Sequence, residues 1–429
     1  MQYRALGSAF FLTIFLCGET VGQTGGTRLS SLPVAAQRTI LETLSQDSPW
    51  LQLAELTGSD GTSIDQFGLS VAIDGNSVVV GAPYAKIGSN QAQGAAYVFV
   101  KPATGWENMT QVAKLTASDG KADDEFGGSV AISGKTVLVG DTFFSRVGGY
   151  IFVRPTRGWK SATETAKLQA CGPIGAIRGD TAVCADLDQA FVYVRPKTGW
   201  KSATTYDALL VTTEGDKNFF SSIATDGDVV VIGAADINNE SDVAYLYVKP
   251  KGGWGAPLNL GRLITQKAKL TNSDSTEGDG FGFSVSLSGD TVAVGAPYAP
   301  DNNENSGAAY VFVRPASGWT NMTETAKLTA NTTSYPSILG WSVAVSGETL
   351  VAGNPSGENT DNHQGEAFVY LEPATGWTTT GTPNARLTPS GSQEDDPFGW
   401  SVAMSGQTIL VGDISVAFMG PGAAYVFGP

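Results

Sequence analysis

The stretch FGLSVAIDGNSVVVGAP at 67–83 returns down the chain with only its turn and last residues changed. It recurs as FGGSVAISGKTVLVGD (126–141), FGFSVSLSGDTVAVGAP (281–297), LGWSVAVSGETLVAGNP (339–355) and FGWSVAMSGQTILVGD (398–413), with a worn copy, FFSSIATDGDVVVIGAAD, at 219–236. A unit that repeats at this spacing cannot bury its apolar face alone. Stacking copies side by side must supply the core.

Each unit contains four apolar segments. In the second copy these are 127–133, 135–140, 149–155 and 164–170, with Ser133-Gly134 between the first two. β-branched and aromatic residues bounded by Gly, Pro and Asp identify strands, and an x-Gly pair between two such runs identifies a tight hairpin. Runs such as VVVGA are apolar on both faces, as a sheet covered on both sides requires. The third strand occurs seven times, at 96–100, 149–153, 190–194, 244–248, 309–313, 367–371 and 424–427. No fourth strand follows the last of these, whereas LQLAELTGSD (51–60) matches AKLTASD (113–119) and precedes the first Phe-Gly. Pairing 51–60 into the last unit closes a ring, removes its open edges and buries Leu51, Leu53 and Leu56. The expected fold is all-β: a seven-bladed β-propeller of four-stranded blades, closed by the N-terminal strand. The third blade, about 171–206, lacks Phe-Gly and is the most eroded.

The propeller is expected over 51–429, behind a signal peptide at 1–23 and a lead-in segment at 24–50. The apolar run from Ala9 to Cys17 is short of the ~20 residues a membrane span needs and suits a secretory signal. The mature chain is therefore expected to be secreted or at the cell surface, with no membrane span after cleavage. With 26 basic against 41 acidic residues the net charge is −15. That balance speaks against nucleic acid and anionic membranes as partners.

The combination FG…GxxVVVGAP…GAAYVFV resembles the FG-GAP repeat, the blade of the integrin α-subunit headpiece and of many exported proteins. The resemblance covers nearly all of 51–429. It implies an extracellular seven-bladed propeller, commonly an adhesion or ligand-binding module. Integrin blades hold calcium in a DxDxDG-type loop between their first two strands. Here the matching positions read IDGN, ISGK, IRGD, TDGD, LSGD, VSGE and MSGQ. They are too short to wrap a cation that wants 6–8 oxygens.

In an up-and-down blade the tight hairpins and the Pro-x-x-Gly-Trp turns share one face, and the long loops share the other. The long loops entering Phe-Gly carry Asp60 and Asp65, Asp119 and Asp124, and Asp274 and Asp279, each pair five apart. The last copy keeps Asp396 but has Gly391. Such pairs can hold Ca2+ with backbone carbonyls. They can equally be turn residues accepting backbone N–H groups, the reading favoured here. Cys171 and Cys184 make an even pair, which suggests a disulfide in an exported chain. Hairpin counting places them one diagonal step out of register.

Arg178-Gly179-Asp180 spells a cell-attachment tripeptide, although a hairpin turn alone explains two of its residues. Trp106, Trp159, Trp200, Trp254, Trp319 and Trp377 follow Gly at one fixed position, which favours packing between blades over sugar stacking. Trp341 and Trp400 are candidates to reach the channel. Asn108, Asn239, Asn321 and Asn331 begin glycosylation sequons. The single histidine, His363, rules out His-based metal clusters. The expectation is a non-catalytic module binding an extracellular protein or glycan through its acidic long-loop face. The alternative is an extracellular carbohydrate-active enzyme using carboxylates at the channel mouth.

Overall fold

The computed structural model describes residues 50–429 except 63, 142–147, 170, 173, 187–188, 214–221, 236–241, 256–261, 302–303, 331–336, 357–363, 391–396 and 415–420. Among the described residues there are strands and turns and no helix. Blade 1 shows the pattern. Ser70–Asp74, Ser77–Ala82, Ala95–Val100 and Ala113–Leu115 form one antiparallel sheet, with Ser70 opposite Gly81 and Asp74 opposite Ser77 across the hairpin. The first strand of each blade is innermost. Ser70–Asp74, Ser129–Ser133, Ile174–Arg178, Ser222–Thr225, Ser284–Ser288, Ser342–Ser346 and Phe398–Ser405 each contact the next in turn, and the last contacts the first.

The ring closes as the sequence requires. Leu51–Thr57 lies antiparallel on Ala423–Gly428, which also pairs with Thr408–Asp413, so chain start and chain end build one blade. The burial expected of that strand is corrected. Leu56 is fully buried with Ala54, but Leu51 and Leu53 are 53% and 38% exposed. Strand alternation accounts for this: Leu51 and Leu53 fall on the face opposite Ala54 and Leu56, and the burial of the strand follows that phase.

Backbone contact between blades explains the Phe-Gly and Gly-Ala signatures. Gly127 has a φ of +100°, and its carbonyl oxygen would lie 1.9 Å from a Cβ added at Gly81 of blade 1. Ser70 Oγ donates to that same carbonyl at 2.8 Å. The pattern repeats with Ser284 on Gly340, Ser342 on Gly399 and, across the closure, Ser401 on Gly68. Any side chain at these glycines would push neighbouring blades apart. The phenylalanine packs within its own blade: Phe126 sits edge-on to Tyr150 and Phe152 at 5.3 and 6.0 Å.

Blade 3 solves the same problem covalently. Cys171-Gly172 stands in register with Phe67-Gly68, and Cys171 is bonded to Cys184 on the adjacent strand with Cα atoms 4.9 Å apart. Room comes from Gly149, where blade 1 has Ala96. A Cβ there would meet Cys171 Sγ at 2.3 Å.

Outer edges are covered by the chain that follows each Gly-Trp. Met109–Thr110 adds a parallel strand to Leu51–Thr57, Arg262–Thr265 to Ala208–Val211, and Met322–Thr323 to Ala268–Thr271. These additions give three of the sheets five strands. They remove edges that would otherwise pair with other chains.

Two measurements test this account. Leu56→Ala should cost about 2–5 kcal/mol in urea unfolding, whereas Leu51→Ala should stay within about 0.5 kcal/mol. Equal losses would refute the observed register. Replacing both Cys171 and Cys184 by Ala should cost roughly 2–4 kcal/mol, and a reductant should then have no further effect on the variant.

Candidate functional site

The paired aspartates of the long loops serve two different purposes. The first of each pair is met by a tyrosine of the third strand and a lysine of the outer strand in the blade it leads into. Lys114 Nζ lies 2.6 Å from Asp60 Oδ2, and the Tyr97 hydroxyl donates to Asp60 Oδ1 at 3.1 Å. In blade 2 Lys167 reaches Asp119 at 2.7 Å and Tyr150 donates to it at 3.3 Å. In blade 5 Lys327 reaches Asp274 at 2.6 Å and Tyr310 donates at 2.8 Å. Each ammonium also sits over the tyrosine ring, 5.1–5.7 Å from its centroid.

Burial raises each of these carboxyls, but the lysine ammonium and the tyrosine hydroxyl outweigh it and hold all three below the ordinary carboxylate value. Burial first, and the neighbouring aspartate after it, push the Tyr97 and Tyr150 hydroxyls upward, so both stay protonated as donors.

The second aspartate of each pair is a turn residue. Asp65 accepts from Thr62 N at 3.0 Å, Asp124 from Lys121 N at 2.6 Å, and Asp279 from Thr276 N and Phe281 N at 3.3 and 2.9 Å. Asp65 and Asp279 are almost wholly buried, and Asn272 Nδ2 donates to Asp279 at 2.7 Å. The loops thus direct the two carboxylates of a pair to separate partners. Among the described residues no group of three or more His, Cys, Asp or Glu converges where a metal could be held. Asp396, Gly391 and His363 lie outside the described residues, as do the sequons at Asn239 and Asn331.

The Asp–Tyr–Lys triad was readable in the repeats. Asp60, Asp119 and Asp274 occur with Tyr and Lys in blades 1, 2 and 5. Blade 3 has Phe191 and Leu209 in the register of Tyr97 and Lys114, and blade 7 has Glu55 together with Gly391. Blade 4 has Tyr245 and Lys269 but no aspartate at the matching place in the sequence, and blade 7 keeps Tyr425, so the complete set stands in blades 1, 2 and 5.

The other motifs fall to architecture. Five of the six repeated tryptophans are buried, and all six join a core shared by two neighbouring blades, as Trp106 does with Leu56 and Val426. Trp50 packs against the remaining such core, between blades 6 and 7, where no repeated tryptophan stands. Asn108 and Asn321 are exposed, and their side-chain oxygens accept from Glu55 N and Lys269 N across blade boundaries. Arg178 and Asp180 stand at an exposed hairpin tip, but each has a partner. Arg178 Nη1 is 3.8 Å from Asp74, and Arg195 Nε donates to Asp180 at 2.7 Å. The Gly179 N–H is spent on Ser133 Oγ at 3.0 Å.

One arrangement owes nothing to the turns. The residues after Gly in blades 5, 6 and 7 are Phe283, Trp341 and Trp400, at the start of the inner strands on the long-loop side. Their rings meet in a row, with centroids 4.5 Å apart for Phe283 and Trp341 and 4.8 Å for Trp341 and Trp400. All three are half-buried. The same position is Leu69 in blade 1 and Gly128 in blade 2, so the propeller is built without an aromatic residue there.

The sequence profile described as FG-GAP repeat matches residues 50–99, 109–151, 264–312, 322–370 and 382–427, together more than half of the chain. The unmatched stretch is blade 3 with most of blade 4, the part where Phe-Gly is missing or worn. Among curated proteins none matches the chain. Among solved structures, Kuenenia stuttgartiensis hydrazine synthase is similar at a TM-score of 0.52 and 11% identity, covering 83% of this chain and 94% of that one. The β-propeller domain of Myceliophteria thermophila Cps50 (Swd1) has a TM-score of 0.48 and 12% identity, covering 89% of this chain and 99% of that one. At such identities the likeness to hydrazine synthase concerns the fold alone.

Held below their ordinary values, Asp60, Asp119 and Asp274 lend stability that is present above the unfolded carboxylate pKa near 4 and lost as pH falls through the folded values. Stability should therefore decline from about pH 5 downward. The triple variant Asp60→Asn, Asp119→Asn, Asp274→Asn should show a shallower decline in its urea midpoint, and an unchanged slope would dismiss the triads. Because an ammonium already neutralises each first aspartate, millimolar calcium should leave the parent melting temperature unchanged. A calcium-dependent rise that the triple variant abolishes would instead assign these carboxylates to the ion.

Proposed function

Because the chain belongs to the FG-GAP repeat family, we propose that it is an exported, non-catalytic interaction module that binds a protein or glycan ligand at the long-loop face. The observation that carries this reading is the aromatic row Phe283–Trp341–Trp400. Half-buried indole faces are costly to leave beside water and gain from a ligand that covers them. The position is free of architectural duty, since Leu69 and Gly128 occupy it in blades built the same way. Export is supported by the Cys171–Cys184 bond, which belongs to an oxidising compartment.

The enzyme reading draws no comparable support. A glycoside hydrolase needs two carboxylates free to act on one bond. The loop aspartates are instead bonded to lysines, tyrosines and backbone amides.

Trp341→Ser with Trp400→Ser should abolish capture of a ligand found by glycan-array and extracellular-extract screening, and should leave the melting temperature within a few degrees of the parent. Retained capture would reject the aromatic row as the binding surface. Turnover of a polysaccharide by the parent protein would reject the non-catalytic assignment.

A further inference from the structure

The net charge of −15 hides a segregation. The face carrying the hairpins and Gly-Trp turns is cationic over blades 2, 3 and 4. The turn that reads Pro-Ala-Thr-Gly-Trp at 102–106 and 373–377, and Pro-Ala-Ser-Gly-Trp at 315–319, becomes Pro-Thr-Arg-Gly-Trp at 155–159, Pro-Lys-Thr-Gly-Trp at 196–200 and Pro-Lys-Gly-Gly-Trp at 250–254. After the tryptophan, Glu107, Thr320 and Thr378 of blades 1, 5 and 6 give way to Lys160 and Lys201 in blades 2 and 3. At the inner hairpin, Lys135 of blade 2 stands where the other blades carry Asn76, Asp180, Asp228, Asp290, Glu348 or Gln407. The backbone is the same in both sets: Gly158 N donates to Pro155 O at 3.1 Å as Gly105 N does to Pro102 O, and both glycines have positive φ. Turn formation therefore does not demand these cations.

Nor do ion pairs account for them. Arg178, Arg195 and Lys249 in this sector are matched by Asp74, Asp180 and Asp228. Lys135, Arg157, Lys160, Lys197, Lys201 and Lys251 are exposed and make no ion pair among the described residues. Within the same sector lies a cleft at the rim of blade 3. Pro196, Trp200 and Tyr206 form apolar walls, Ser202 and Thr205 offer hydroxyls, and Lys201 stands at its margin. The carboxylate on its wall, Asp207, is occupied by the Val194 amide at 2.7 Å.

We propose that this face binds an acidic polysaccharide, with the cations of blades 2–4 meeting its carboxylate or sulfate groups and the blade 3 cleft taking a sugar ring. Ring faces, hydroxyls and a flanking cation are what a charged pyranose presents partners for. Asp180, Asp226 and Asp228 lie among the cations, which disfavours duplex nucleic acid with a charge every ~1.7 Å. A polymer with one or two charges per sugar can place its anions between them. This surface is separate from the aromatic row and does not depend on it.

The test uses the full-length protein and four polymers: polygalacturonate, dextran sulfate, neutral dextran and double-stranded DNA. Binding to polygalacturonate or dextran sulfate is expected near 0.05 M salt and should weaken steeply toward 0.5 M, where screening shortens the reach of charge to a few Å. Which of the two binds more tightly tells carboxylate from sulfate recognition. The variant Arg157→Thr, Lys197→Ala, Lys201→Thr installs residues that other blades already carry. It should lose about tenfold in affinity with an unchanged melting temperature. Lys101→Thr with Arg314→Thr, on blades 1 and 5, should keep parental affinity. The proposal is overturned if neither polyanion binds, if the blade 1 and 5 variant weakens binding equally, or if DNA binds as tightly as the polysaccharides.

Discussion

The propeller depends on close approach of backbone to backbone at the inner ends of its blades. A glycine carbonyl just after the phenylalanine of one blade comes within a methyl group's space of the second-strand glycine of the blade before it, and a serine hydroxyl donates to that carbonyl. Three residue choices are fixed at once: a positive-φ glycine, a second glycine facing it, and a small hydroxyl beside them. The phenylalanine then locks the glycine's turn to its own third strand through ring contacts, edge-on in blades 1, 2 and 5 and tilted in blade 7. Because each blade uses its neighbour's backbone, no copy can drift far from the pattern without loosening two blades. This is why the stretch recurs almost unchanged. In blade 3 Cys171 takes the phenylalanine's place and is bonded to Cys184 of the same blade.

Architecture was legible because it is written many times over. The strand count, the hairpins and the closure by 51–57 follow from comparing copies. The burial expected of Leu51 and Leu53 counted leucines without their phase, for both alternate with Ala54 and Leu56, which hold the buried face. The disulfide shows a different limit. Hairpin counting treats Cys171 as part of a strand, whereas it stands before the strand Ile174–Arg178 begins, where Phe stands in other blades, and from there it reaches Cys184.

The loop aspartates were visible as pairs but not as partners. Spacing five apart suggests two ligands for one ion. Yet the first carboxylate is closed by residues from the third and outer strands of the following blade, 31–54 positions away in sequence. The correlation that exposes this contact lies across repeats rather than along any one of them. Counterparts of Tyr97, Lys114 and Asp60 stand complete in blades 2 and 5, while blade 4 has Tyr245 and Lys269 without the aspartate.

The same comparison separates what a blade needs from what it has been given. Glycines, serines and inter-blade tryptophans occupy their positions in almost every copy, so their roles are structural. Phe283, Trp341 and Trp400 occupy a position that Leu69 and Gly128 fill elsewhere, and Arg157, Lys197 and Lys251 sit in turns that close equally well on Thr, Ala or Ser. The two departures fall in different sectors and on opposite faces: aromatic rings at the long-loop side of blades 5–7, cations at the hairpin side of blades 2–4. A seven-fold scaffold gives every blade the same chances. A one-sided distribution is therefore not a consequence of the fold, and it orients the ring.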